Sequence, residues 1–399
     1  MSVGKNSLSR TYKPGLVRLL TPPSLSSQNL GRKILCHRPL RHGFPCLHAY
    51  YDKIGNRYIS HQYGHGGAGW TLAPGSSRYS VNQIENLAGR NLQNDSQISI
   101  IGAGIIGLMT AFRFYDKGYK NITVIAANHE ESASHEAGGL VAPISMDNTD
   151  SKQADLLSTI CKESYLFYKA IAQGSIPSLA QGVQFLPVYF LGRHESGLET
   201  YVGHVMRPAQ DVTVDFGTGI TRSMVVYDDG ILVQTKLFLA ALKEYLKGKV
   251  HFVTRHIDSL EEIQTPFIMN CTGMGAAHLV SGGDSNLVSV QGHLITLKDQ
   301  DLNSIQYMLS AFLGDEVSTS GFPVRRAHYM FPKLFDASPV KANGRVDAGV
   351  FGGTFIVGTS LSHTLVMYVW SRPTHFQTCN DINPTTDISI FGTHIWTRA

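Results

Sequence analysis

Ile98-Ser99-Ile100-Ile101-Gly102-Ala103-Gly104-Ile105-Ile106-Gly107-Leu108 decides the fold of this chain. Ile98–Ile101 predicts a short buried strand, Ile105–Asp116 a helix and Asn121–Ala126 a second strand. Together they make a β-α-β unit whose glycines lie at the strand-to-helix turn. Gly102 permits the tight turn, Gly104 lets backbone approach a pyrophosphate, and Gly107 lets helix and strand pack closely. The helix N-terminus offers free N–H groups and a partial positive charge to phosphates. One usual feature is missing. The second strand ends Val124-Ile125-Ala126-Ala127-Asn128-His129-Glu130, without the acid that holds ribose hydroxyls at its tip. Asn128 and Glu130 are the candidates to replace it.

Upstream lies Tyr63-Gly64-His65-Gly66-Gly67-Ala68-Gly69-Trp70-Thr71. So many glycines let backbone come within hydrogen-bond reach of a flat ligand. The helix predicted to run on to Ala88 points its positive end there. Pro74-Gly75 falls in its expected first turn, where proline is tolerated. His65 is either an acid/base or a structural imidazole bonded to backbone, the commoner case. Leu47–Gln62, with Gly55-Asn56 at its centre, predicts the hairpin that leads into this segment.

Downstream, Ser132-Ala133-Ser134-His135-Glu136-Ala137-Gly138-Gly139-Leu140-Val141-Ala142-Pro143 combines small hydroxyls with paired glycines, as either a phosphate-friendly loop or an ordinary surface turn. Asn270-Cys271-Thr272-Gly273 ends a strand in a turn, with Cys271 as a small apolar residue beside it. Arg38-Pro39-Leu40-Arg41 suits a carboxylate clamp, because a guanidinium grips a carboxylate through two hydrogen bonds. A solvated basic loop is the competing reading.

Other elements follow from periodicity. Residues 153–172 predict an amphipathic helix and Leu237–Leu246 another. Val183–Leu191, Ser223–Val226, Lys249–Val253, Phe267–Asn270, Leu287–Leu297, Tyr329–Phe331 and Val350–Gly358 predict strands. Residues 1–35 and 371–399 carry no regular pattern. The uncharged run Gly349–Trp370 is long enough for a membrane span, but its glycines, hydroxyls and β-branched residues favour strands. A charge of +4, from 34 basic and 30 acidic side chains, is too mild to indicate nucleic acid. No acidic residue precedes Asp52, so the N-terminal stretch is either a targeting segment or a basic lobe for an anionic ligand. The 5 scattered cysteines have no metal-ligand spacing and suit a reducing compartment.

These segments resemble the D-amino-acid oxidase family of FAD-dependent oxidoreductases. Ile98–Leu108, Ala137–Pro143, Asn270–Ala276, Gln291–Ile295, Tyr329–Pro332 and Gly352–Phe355 look like successive family motifs in family order. The family's last stretch, however, is matched by residues 18–88, through Leu20–Leu25, Arg38–Arg41 and Gly64–Gly69. No second copy follows Gly353, so the order is that of a circular permutation, the new termini falling in a loop of the substrate lobe. The match favours the basic-lobe reading of the N-terminal stretch.

The resemblance implies an α/β fold: a Rossmann-like FAD-binding domain with a mixed-sheet α+β substrate domain. Residues 1–62 are expected in the substrate domain and its linker, 63–150 in the FAD domain, 151–230 in the substrate domain, 231–285 in the FAD domain and 286–399 in the substrate domain. It also implies roles. Gly102, Ala103, Gly104, Ile105, Ile106 and Gly107 would hold the FAD pyrophosphate. Ser134, Gly139 and Leu140 would line its path, with Thr272 and Gly273 opposite. Gly64, Gly66, Gly67, Gly69, Trp70 and Thr71 would face the isoalloxazine edge, Gly67 at the reacting end. Arg41 would bind the substrate carboxylate and Tyr329 would donate its hydroxyl to it.

The family's second active-site tyrosine is replaced by Arg325, and Arg325 or Arg326 would favour acidic substrates if they reach the pocket. The implied activity is oxidation of a D-amino acid to a 2-oxo acid, ammonia and hydrogen peroxide with O2 as acceptor. An oxidase for glycine, an N-methyl amino acid or D-aspartate, and a flavin-binding homologue without turnover, are the alternatives. No metal, nucleic acid or membrane is expected. The expected location is cytoplasmic and a homodimer is the candidate assembly.

Overall fold

The computed structural model describes residues 16–143, 150–193, 196–217, 219, 221–317, 323–334, 340–341, 343–357, 366–367 and 377–378, with side chains outside 312–317, 323–327 and the strands beyond 352. Its first elements are β1 (Leu16–Leu19), β2 (Leu30–Arg41), β3 (Cys46–Asp52), β4 (Arg57–Tyr63) and α1 (Gly69–Ala88). The β-α-β unit follows as β5 (Ile98–Ile101), α2 (Ile105–Asp116) and β6 (Ile122–Ala126). Next come α3 (Ala133–Glu136), α4 (Ser151–Ala172), β7 (Val183–Phe185), β8 (Val188–Phe190), β9 (Gln210–Asp215), β10 (Thr221–Tyr227), β11 (Ile231–Val233) and α5 (Thr235–Leu246). The remaining elements are β12 (His251–Thr254), β13 (Phe267–Asn270), α6 (Ala276–Leu279), β14 (Leu287–Leu297), β15 (Met308–Val317), β16 (Pro323–Leu334) and β17 (Ala348–Val357).

Two sheets organise the molecule. The first has the order β12-β6-β5-β13-β4-β3. Its first five strands are mutually parallel and β3 closes the edge antiparallel to β4. Every residue of β5 is buried, as a strand covered on both faces requires. Ile59, Ile101, Ile125 and Ile268, one from each of four strands, pack under the turn that carries Ile257, Leu260 and Ile263. The hairpin thus joins the parallel sheet, and the chain crosses between sheets at Arg41–Cys46. The second sheet is nine-stranded and mixed, in the order β1-β9-β10-β8-β15-β16-β17-β14-β2. This is the α/β architecture with a second, mixed sheet that the sequence implied.

Three elements differ from expectation. Leu30–Arg41 is a strand of 12 residues, where the sequence looked irregular up to residue 35. Pro39 is tolerated in it because β2 is an edge strand. The expected strand Val183–Leu191 is two, since Leu186-Pro187 interrupts it: β7 pairs with β11 while β8 enters the large sheet.

Proline 74 lies in the second turn of α1, not the first, because Gly66–Ala68 form a separate 3-10 turn before the helix. A proline there cannot donate to Trp70 O, and the hydroxyl of Tyr168 on α4 donates to it instead, at 2.8 Å. The next N–H, of Gly75, is taken by Ser164 Oγ at 2.9 Å. A Cβ on Gly75 would lie 2.3 Å from Ile160 O, so only glycine lets α4 come this close.

Candidate functional site

A cavity of about 1200 Å³ opens where the C-terminal ends of the parallel strands face the large sheet. Open α/β sheets bind ligands at that end. Gly102 (φ +108°) makes the turn after β5, and a Cβ there would lie 2.4 Å from Cys271 O. Gly107 stands directly behind it: a Cβ would lie 1.9 Å from Gly102 O, so this residue packs helix on strand and does not line the cavity. Ala103, Gly104, Ile105 and Ile106 form the wall. Ser134 Oγ accepts the N–H of Ile105 at 3.0 Å, and Ser134, Gly139 and Leu140 continue the wall.

The glycine loop after β4 faces the same space. Gly64, Gly66, Gly67, Gly69 and Trp70 line it. Thr71 lies behind them, its Oγ1 donating to Ala142 O at 2.8 Å and accepting from Ala142 N at 2.9 Å. Trp70 Nε1 donates to Ser134 O at 2.9 Å, so α1 grips the loop that continues the wall. From the far side come Thr272 and Gly273. Asn270 Oδ1 holds the Thr272 hydroxyl at 2.7 Å. His65 is buried with Nε2 3.2 Å from Ser76 Oγ, a side-chain partner where the sequence suggested backbone. Burial pushes its pKa down to about 4, so the ring is neutral where it meets the cavity. Cys271 is buried, and burial pushes its thiol up to about 12.

At the other end, the large sheet contributes Cys36, His37, Arg38 and Pro39 from β2, Leu294, Ser310, Tyr329 and Phe331. Tyr329 and Phe331 stack, with ring centroids 4.8 Å apart and planes at 13°. Burial pushes the Tyr329 hydroxyl up to about 12 against the pull of Arg38, so it stays a proton donor. Burial works against the charge of Arg38, but Tyr329 and Cys36 beside it more than offset that effect.

Arg41 is placed differently from the expectation. It is absent from the cavity wall. Its Nε donates to Asp284 Oδ2 at 2.8 Å and its Nη1 to Phe44 O at 2.9 Å. Asp284 also accepts from Tyr63 at 2.8 Å. The Arg41 N–H donates to Gly64 O at 3.1 Å, and a Cβ on Gly64 would lie 2.4 Å from that of Arg41. Arg41 therefore backs the glycine loop. The physical reason is parity: on a strand, positions three apart point to opposite faces.

The ribose end is also rearranged. Asn128 lines the cavity, and its Oδ1 accepts from Glu130 N at 2.7 Å and Glu131 N at 3.1 Å within its own turn. Glu130 points elsewhere, to Lys243 at 3.1 Å. Glu131, which the sequence reading passed over, lines the cavity with Arg255, His256 and Asp258. Arg325 and Arg326 fall on β16, with side chains outside those described. Among the described residues no group could hold a metal ion, and no helix is long and apolar enough to cross a membrane.

The family described as DAO, FAD dependent oxidoreductase, matches residues 97–372. A D-amino-acid oxidase from Streptomyces coelicolor is 25% identical over 218 residues, which are 53% of this chain and 62% of that protein. The chain thus spans less than two thirds of the curated relative it matches. Among solved structures, glycine oxidase from Geobacillus kaustophilus aligns with a TM-score of 0.45 and 14% identity, over 67% of this chain and 73% of that one. A fructosamine oxidase from Aspergillus fumigatus (Amadoriase II) aligns with a TM-score of 0.43 and 11% identity, over 66% and 64%.

The residues present fit the dinucleotide. The turn at Gly102–Gly104 and the N-terminus of α2 would hold its pyrophosphate. The glycine loop at the start of α1 would take the flat ring, and the cavity continues past both to a cation and a tyrosine hydroxyl.

Proposed function

Because the chain belongs to the DAO family of FAD dependent oxidoreductases, we propose that it oxidises a D-amino acid to a 2-oxo acid, ammonia and hydrogen peroxide. FAD, when bound, would supply the two-electron redox chemistry with O2 as acceptor, and a water is consumed when the imino acid hydrolyses to the 2-oxo acid and ammonia. The chain's own residues bind and orient. Arg38 holds the substrate carboxylate and the Tyr329 hydroxyl donates to the same group, roles supported by their juxtaposition in the cavity wall. The single observation that carries the reading is this cation–hydroxyl pair in the same cavity as the two glycine turns. The first turn of α1 stabilises negative charge at Gly66–Gly69. The stacked Tyr329 and Phe331, with Leu294, exclude water from the reacting end. No side chain needs to act as a base if the amine enters neutral.

Peroxide release over a panel of D-amino acids, with L-enantiomers as controls, tests the activity. Peroxide from one or more D-enantiomers is expected. Peroxide from glycine or N-methyl amino acids alone would move the assignment to those amines.

The permuted order belongs to the same proposal. Residues 16–88 precede the matched span, yet β4 lies beside β13 and Gly64–Gly69 open on the cavity. A chain rewired to begin at Gln93 and end at Leu92, its original ends joined by a flexible linker, should fold and bind FAD within about threefold of the parent affinity. Failure of several linker lengths to give a folded protein would count against it.

A further inference from the structure

Lys333 is fully buried, with none of its surface exposed, and is not part of the cavity wall. A buried ammonium is costly unless its donors are used, and an apolar side chain would fill the same space without that cost. Two of its hydrogen bonds go to one segment. Nζ donates to His135 O at 2.9 Å and to Ala137 O at 2.6 Å. Thr235 Oγ1 donates to the same His135 O at 2.9 Å. Gln234 fixes the strand on both sides of the lysine, its Nε2 donating to Pro332 O at 3.2 Å and its Oε1 accepting from Leu334 N at 2.7 Å. Close by, Glu136 pairs with Lys236 at 3.4 Å.

The two carbonyls belong to α3 and the loop that follows it, the segment that presents Ser134, Gly139 and Leu140 to the cavity. Gly138, next to the clamped Ala137 and itself part of that wall, lies against the aromatic pair. A Cβ there would be 3.0 Å from two ring carbons of Phe331 and 3.6 Å from the ring of Tyr329. Lys333 and both rings are carried by one strand, β16. The loop is gripped from its other side by Trp70, and Ser134 Oγ meets the first turn of α2.

We propose that Lys333 is a positioning residue: it registers the cofactor loop Ser134–Leu140 against the Tyr329–Phe331 wall, so that cofactor and substrate carboxylate are held at one spacing. The cofactor half rests on the family's use of FAD and the substrate half on the D-amino-acid reading.

Two variants test it, Lys333→Met, which keeps length and apolar bulk, and Thr235→Val, which removes the second donor to His135 O without burying or freeing a charge. FAD affinity is read by fluorescence titration of the apoprotein, and KM and kcat with a D-amino acid that the parent oxidises. Lys333→Met should weaken FAD about tenfold and raise KM about tenfold, with kcat changed less, and Thr235→Val should weaken FAD about threefold. A folded Lys333→Met protein that binds FAD within twofold of the parent would overturn the proposal, whatever its melting temperature. If that variant does not fold, Thr235→Val decides, and parental FAD affinity in it overturns the proposal. A parent that binds FAD but oxidises no D-amino acid would sink the functional reading alone, and the FAD titrations would still decide this one.

Discussion

Arg38 and Arg41 are three positions apart and do different work. Arg38 reaches the cavity with Tyr329, while Arg41 ties Asp284 and Phe44 O behind Gly64. If Arg38 holds the substrate carboxylate as proposed, replacing it by Met removes charge-assisted hydrogen bonds of about 2–3 kcal/mol, so KM should rise roughly 30- to 150-fold. Arg41→Met should leave KM within about threefold but cost roughly 1–3 kcal/mol of stability, because Asp284 keeps only 9% of its side-chain surface exposed and loses its cation. Steady-state kinetics and urea unfolding of both variants read this out, and the reverse pattern would restore Arg41 as the substrate ligand. At the ribose end, Glu131→Gln should weaken FAD several-fold and leave FMN, which lacks the adenosine, unchanged. Equal loss for both flavins would deny Glu131 that role. Gly64, Gly66 and Gly102 were legible in the sequence because their turns place φ in the region that favours glycine. Which arginine lines the cavity was not, because that depends on strand parity in a segment that carries no alternation.

Among the elements, α1 shows how tertiary contacts rescue a local misfit. Pro74 removes one donor within the helix, and Tyr168 and Ser164 on α4 satisfy Trp70 O and Gly75 N–H. Tyr168→Phe should therefore cost about 1–2 kcal/mol, the price of a buried carbonyl left without a partner. Gly75→Ala, which would force Ile160 O away from 2.3 Å, should cost about 1–3 kcal/mol or more. Chemical denaturation measures both, and two neutral substitutions would mean that α4 does not hold α1 in this way. The sequence predicted the helix over residues 66–88 but not this pairing, since nothing local marks Tyr168 as the partner of Trp70. Similarly, β5, α2 and β13 were found at their observed bounds because their apolar runs end in glycine or polar turns. β15 and β9 were not, as their apolar residues stand among charges and their strands exist through pairing with neighbours far along the chain.

For the whole molecule, buried bases set the response to pH. His61, His65 and His293 are pushed by burial from 6.5 to about 4. Their folded values lie below the unfolded ones, so the unfolded chain binds more protons between pH 4 and 6.5, and stability rises with pH across that window. Lys333, pushed by burial from 10.5 to about 7, acts in the same sense between those values. The urea midpoint should climb from about pH 4.5 to about 6.5, and Lys333→Met should flatten any further rise above about pH 7.5. A midpoint that falls with pH through the lower window would contradict the buried, neutral histidines.

The two-sheet architecture followed from one β-α-β unit and its companions, whereas the enclosed site depends on β2, a strand that only its partner β14 reveals. That site is where the account is most exposed. The decisive measurement is the absorbance spectrum of the purified protein under anaerobic conditions, before and after D- and L-amino acids are added. The account predicts a yellow flavin spectrum that bleaches with a D-amino acid and not with its L-enantiomer. A yellow protein bleached by no D-amino acid, or a colourless one that takes up no added FAD, would contradict it.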